Sequence, residues 1–179
     1  MNDRDDLLQQ IKAKAVVYGT VTLSSGQAAD YYVDLRRITL DGSAAPLVGR
    51  VMRALTAEIS YDAVGGLTLG ADPVAAAMLH AAASETHGSL DAFVVRKEGK
   101  AHGLQRRIEG PDVSGRRVLA VEDTSTTGES VLGAVDALHE AGAVVVAVAV
   151  IVDRGARQAV EEAGLPYLAA YELEDLDLG

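Results

Sequence analysis

The chain has 179 residues, with 26 Asp and Glu against 16 Lys and Arg for a formal net charge of −10, one Phe, no Trp and no Cys. Such a length predicts one domain that buries roughly 70% of its unfolded surface, around a core of Ala, Val and Leu. The lack of cysteine excludes disulfides, thiolate catalysis and cysteine–metal sites, and the acidic balance argues against nucleic-acid binding driven by phosphate contacts.

The opening "MNDRDDLLQQ" is acidic with no apolar signal core, and no apolar run approaches the ~18 residues of a membrane span. The expectation is a soluble cytoplasmic protein without a membrane partner. Residues 4–17 read as a helix with an apolar stripe at Leu7, Leu8, Ile11, Ala15 and Val16. Residues 20–38 alternate as two short strands around the turn signal Ser25-Gly26. The spacing of Leu47, Val51, Leu55 and Ile59 predicts a helix over 43–59, with Ser43 as N-cap and Pro46 in the first turn. Strand, glycine-rich turn and helix follow over 61–85, and 90–98 is the next strand. Residues 115–123, 124–128 and 129–142 make strand, loop and helix, stopped by Gly142. "VVVAVAVIVDR" (144–154) is a fully buried strand, before a helix around 157–164 and a short strand near 166–173. The strand–helix alternation predicts an α/β fold, a parallel central sheet flanked by helices. Ligands of such sheets sit beyond the carboxyl ends of the strands, where each unusual loop of this chain falls.

One of those loops is "VLAVEDTSTTGES" (118–130). An apolar strand runs into Glu122 and Asp123, and a hydroxyl-rich turn then enters a helix. The first amides of a helix lack internal partners and carry the positive end of its dipole. With the hydroxyls of Thr124, Ser125, Thr126 and Thr127, and with Gly128 for close backbone approach, they form a monophosphate cradle without a lysine. The acid pair suits a ribose 2′,3′-hydroxyl pair, and its charge favours positive charge developing at a nearby sugar carbon. Positive charge is concentrated elsewhere, in "RKEGKAHGLQRR" (96–107), where Lys and Arg surround His102 against a single Glu. His80, His87 and His139 have no second ligand at metal spacing and read as structural or surface residues.

The pattern of apolar strand, acid pair, T-x-T-T-G and amphipathic helix resembles the signature of the type I phosphoribosyltransferases, which bind phosphoribosyl pyrophosphate (PRPP). Phe93 to Gly103 resembles the mobile catalytic loop of the orotate phosphoribosyltransferase family, R-K-x-x-K-x-H-G, at Arg96, Lys97, Lys100, His102 and Gly103. Val21 to Ile38, with S-G, Tyr31-Tyr32 and D-L-R, resembles that family's N-terminal substrate segment, and "VIVDR" (150–154) its base-recognition strand. The matches run from about residue 18 to residue 155, and the chain is identified as similar to the bacterial members.

The resemblance implies a single type I phosphoribosyltransferase domain over 1–179, with a small hood over about 1–40 and a PRPP-binding core over about 41–179. It implies transfer of the 5-phosphoribosyl group from PRPP to orotate, giving orotidine 5′-monophosphate and pyrophosphate, with Mg²⁺ carried by PRPP and not held directly by the protein. Lys100, His102, Glu122 and Asp123 would be catalytic. PRPP would be bound by Arg96, Lys97, Lys100 and His102 at the pyrophosphate, by Glu122 and Asp123 at the ribose, and by Thr124, Ser125, Thr126, Thr127, Gly128, Glu129 and Ser130 at the 5′-phosphate. Thr126 and Arg154 would bind orotate, and Tyr31 and Tyr32 either stack near the base or serve the core. The resemblance also implies a homodimer whose mobile loop, hinged at Gly99 and Gly103, reaches the partner's site. Ser24, Leu69 and Gly70 depart from one branch of the family, which has lysine before S-G and an aromatic–lysine pair in the pyrophosphate loop. Backbone amides around Thr68 to Ala71 would then carry that contact, with Asp72 facing hydrated Mg²⁺. A phosphoribosyltransferase for another base, or a PRPP-sensing regulator of nucleic acid, remain the alternatives. The first would lack R-K-x-x-K-x-H-G, and the second calls for a basic face.

Overall fold

The computed structural model describes residues 2–22, 28–85, 89–97 and 107–178. Asn2 starts α1 (Asp3–Lys14) by accepting the Asp5 amide on its side-chain oxygen at 2.9 Å, and Asp3, Asp5 and Asp6 lie where the helix dipole favours negative charge. Leu7 and Ile11, one turn apart, are buried. The helix expected to reach 17 stops at Lys14, and the β-branched Val16 and Val17 open β1 (Val16–Thr22) instead. β1 pairs antiparallel with β2 (Ala28–Val33) in a two-stranded sheet of its own. The extended reading of residues 34–38 does not hold. Asp34 takes the Arg36 amide at 3.2 Å and its Nε at 2.9 Å on one oxygen, turning the chain into the short helix α2 (Arg36–Thr39).

α3 (Ala45–Leu55) has Pro46 in its first turn as expected, but Ser43 is not its cap and the helix ends short of Ile59. Asp41 does the capping: its Oδ1 accepts the amides of Ser43 at 2.9 Å and Ala44 at 3.0 Å and the Ser43 hydroxyl at 2.6 Å. Strands and helices then alternate through β3 (Ala63–Leu67), α4 (Ala71–Ala83) and β4 (Asp91–Val95). β5 (Ile108–Glu109) is a short antiparallel edge strand absent from the sequence reading, too brief to show a period. β6 (Arg117–Ser125), α5 (Glu129–Glu140), β7 (Val144–Asp153), α6 (Arg157–Glu162) and β8 (Tyr167–Tyr171) complete the chain before a 3₁₀ turn at Glu174–Leu176. Gly142 (φ +79°) ends α5 in the left-handed conformation, as its place in the sequence predicts.

The main sheet has the order β5-β4-β3-β6-β7-β8, parallel apart from β5. Alternation along β6 and β7 divides the core. Leu119, Val121, Ala147, Ala149 and Ile151 pack with α1, α3 and α4, while Val118, Ala120, Val148 and Val150 pack with α5 and α6. The run read as wholly buried is exposed at its first residue, Val144, which is registered with the exposed Arg117 at the start of β6. Because β3, β4, β6 and β7 are parallel, their carboxyl ends meet along one edge, and the chemistry-bearing residues cluster there.

Candidate active site

β6 carries Glu122 and Asp123 to that edge still inside the strand, and Glu122 keeps only 6% of its surface exposed. Burial pushes the Glu122 carboxyl well above the usual carboxylate range, and the adjacent Asp123 charge adds to the rise. Burial raises Asp123 as well, against the Thr124 amide, which donates to its Oδ1 at 2.8 Å, and the positive charge of Arg36. Two crowded carboxyls short of counter-charge form a site made for hydrogen-bond donors.

The strand continues through Thr124 and Ser125, so the turn is shorter than the sequence suggests, and Ser125 is buried. Thr126 and Thr127 are exposed, and Gly128 (φ +79°) opens α5 with no side-chain cap of its own. Thr127 Oγ1 receives the Glu129 amide only at 3.4 Å. Apart from that long contact, the leading amides of a three-turn helix have no side-chain cap among the described residues.

Opposite lies the turn from β3 into α4, whose Thr68–Leu69 peptide is cis. A Cβ on Gly70 would strike Glu122 Oε1 and come within 2.7 Å of Asp123 Oδ1. The departure at this position is thus a close packing of backbone against the acid pair. Thr68 Oγ1 donates to Asp72 Oδ2 at 2.7 Å, which leaves Asp72 Oδ1 buried with no hydrogen-bond partner among the described residues. A cavity of about 590 Å³ lies between these elements. Tyr32, Arg36, Lys97, Glu122, Asp123 and Ser130 line it with the β3–α4 turn.

At the end of β7, Arg154 donates its amide to Ser125 O at 2.8 Å, and its Nε is buried with no partner among the described residues. Gly155 packs close to Thr126 O, so the Thr126 and Arg154 turns are neighbours. Asp153, at 5% exposure, is buried beneath them.

Residues 38–165, more than half of the chain, match the model of the phosphoribosyl transferase domain. An orotate phosphoribosyltransferase of Streptomyces coelicolor is 68% identical over 178 residues, 98% of this chain and 97% of its own. The chain belongs to the orotate phosphoribosyltransferase family. The Mycobacterium tuberculosis orotate phosphoribosyltransferase in complex with Fe(III) dicitrate superposes with a TM-score of 0.88 at 56% identity, over 98% of this chain and 99% of that one. Its complex with PRPP superposes at 0.86 and 51% identity, over 99% of this chain and all of that one.

In this orotate phosphoribosyltransferase family member, Glu122, Asp123, Thr124, Ser130 and Lys97 share one cavity. Arg96 does not line it. Its guanidinium lies 3.6 Å from Glu109, and its amide donates to Arg107 O at 2.7 Å. Lys100, His102, Gly99, Gly103, Ser24 and His87 lie outside the described residues. Tyr32 lines the cavity, whereas Tyr31 packs on the core with its hydroxyl donating to Leu178 O at 3.4 Å. His80 and His139 are exposed on α4 and α5. Arg36 was missed as a site residue, although D-L-R carries it in the sequence. The signal was a cation two residues past an acid at a strand end, and only the fold turns that end toward Asp123.

Proposed function

We propose that this protein transfers the 5-phosphoribosyl group of PRPP to orotate, releasing pyrophosphate and forming orotidine 5′-monophosphate for pyrimidine biosynthesis. The observation that carries the reading is the meeting of the buried acid pair, the uncapped α5 amides and the cationic wall of Lys97 and Arg36 around one cavity. Glu122 and Asp123 accept hydrogen bonds from the ribose hydroxyls, which offset the crowding that raises both carboxyls. Thr126, Thr127 and the amides through Ser130 hold the 5′-phosphate, with Thr124, Ser125 and Gly128 shaping the turn. As pyrophosphate leaves, the anomeric carbon gains oxocarbenium character, and the acid pair, ionised as the ribose hydrogen bonds offset its raised pKa, favours it. Lys97, with Lys100 and His102, neutralises the departing pyrophosphate. Thr126 and Arg154, whose Nε has no partner among the described residues, hold orotate, a guanidinium being apt for its planar carboxylate.

Magnesium fits this arrangement as an ion carried by PRPP. Asp72, close enough to add to the rise of Glu122, presents an oxygen without a partner among the described residues, and would meet a hydrated ion through water. Bound there, the ion would neutralise charge on the leaving pyrophosphate.

The family match further supports a cytoplasmic homodimer whose loop carrying Lys100 and His102 reaches the partner's site. Among the described residues, no helix is long and apolar enough to cross a membrane. The test is loss of orotate absorbance on adding PRPP and Mg²⁺, with Lys100→Ala and Asp123→Asn beside the wild type. Turnover in wild type and a loss of 100-fold or more in each variant is the expected result, on the order of a lost catalytic group. No turnover with orotate, but pyrophosphate release with another base, would overturn the base assignment. Mixing the two inactive variants should restore about a quarter of wild-type activity, the share of sites that random pairing leaves intact. No recovery would sink the shared loop.

A further inference from the structure

Among the described residues Arg154 makes no side-chain hydrogen bond and its Nε is buried, so its direction depends on the turn that carries it. That turn is built on one oxygen. Asp153 Oδ1 accepts the Gly155 amide at 3.0 Å, the Ala156 amide at 2.9 Å and the hydroxyl of Tyr167 at 2.9 Å. Asp153 and Tyr167 are 5% and 6% exposed. Tyr167 comes from β8, fourteen residues away in sequence, and is itself fixed. Arg157 stacks its guanidinium 5.1 Å from the Tyr167 ring, donates to Tyr167 O at 3.1 Å and pairs with Glu172 at 2.9 Å. On the other side, the turn is tied to the phosphate loop through Arg154 N to Ser125 O, with Gly155 against Thr126 O.

A buried carboxylate that takes two backbone amides has a capping role that any short helix could use. The third donor needs another reason. A phenol at this site could be a phenylalanine at lower desolvation cost, unless its hydroxyl fixes which way the carboxylate, and with it the turn, points. We propose that Tyr167 and Asp153 are positioning residues for base recognition: the buried hydroxyl locks Asp153, Asp153 locks the 154–156 turn, and the turn aims Arg154 at the orotate. The proposal rests on the reading of Thr126 and Arg154 as the orotate contacts.

The two ideas separate in one set of steady-state measurements on full-length Tyr167→Phe, Arg154→Ala and the double variant, with both substrates varied. Tyr167→Phe should raise KM for orotate about 5- to 20-fold, leave KM for PRPP within about twofold, and cost Tm a few degrees at most. On the Arg154→Ala background it should add nothing, because a residue acting only through Arg154 has no further effect once Arg154 is gone. Asp153→Asn, which keeps an acceptor oxygen of weaker basicity, should show the same orotate-selective pattern, and serves if Tyr167→Phe folds poorly. An unchanged orotate KM in Tyr167→Phe beside a raised one in Arg154→Ala overturns the proposal and keeps the base site. Parallel losses for both substrates, or effects that add in the double variant, reduce the pair to a structural role. If Arg154→Ala leaves orotate KM unchanged, the base-site reading itself falls.

Discussion

Glu122 is held against a rising cost. Its ordinary pKa is 4.5, and the fold raises it through burial and the neighbouring Asp123 charge. Between the ordinary and the raised value the folded protein keeps a proton that the unfolded chain has lost, so stability falls as pH rises through that window. Glu122→Gln removes the effect. It should stabilise the protein by about 1–3 kcal/mol at pH 8, less at pH 5, while activity drops at least tenfold. Thermal melts across pH check the sign, and a variant less stable than wild type at pH 8 would contradict it. Arg36 pulls Asp123 the other way. Arg36→Ala should shift the acid limb of the kcat/KM profile for PRPP upward, on the order of half a pH unit. An unmoved limb would show that Arg36 serves only Asp34.

At the scale of elements, the turn into α4 and the start of α3 give contrasting expectations. Gly70→Ala places a methyl group on the two carboxylates, which lie at the ends of side chains and can yield. The outcome is a loss of activity of tenfold or more with a Tm change of only a few degrees, measured by assay and melt together. Asp41→Ala should do the reverse, because it frees the Ser43 and Ala44 amides and the Lys14 ammonium, 3.0 Å away, none of which lines the cavity. The Ser43 hydroxyl and Lys14 hold the Asp41 carboxyl below the usual carboxylate range. Its stabilising effect is present above the ordinary pKa and fades as pH falls toward the lowered one. Melts at pH 7 should show a few degrees lost with kcat unchanged. Residues 34–38 and 43 were misread in sequence for the same reason. Asp34 and Asp41 cap by folding back on their own backbone, and such a choice depends on what the next turn meets.

For the whole molecule, a ligand that binds only the folded state stabilises by mass action. PRPP with Mg²⁺ at 100 times its Kd should add about 2.7 kcal/mol, a rise of roughly 5–10 °C in Tm for a chain of this size. EDTA should remove most of the rise, and Asp123→Asn should show little of it. A full shift in Asp123→Asn would separate the acid pair from PRPP. The acid pair, the hydroxyl turn and the α/β order were legible in the residues themselves, because strand periodicity and helix-start chemistry are local. So was the family, through short motifs whose spacing survives without a structure. The approach of Gly70 to Glu122, the charge of Arg36 near Asp123 and the Tyr167–Asp153 bond were not legible, since each joins residues from separate elements across a sheet whose order, β3 beside β6 and β8 beside β7, is set by packing. The chain's local chemistry therefore decided which groups stand at the strand ends, and burial in the finished sheet decided the direction of their pKa shifts, their spacing and their neighbours.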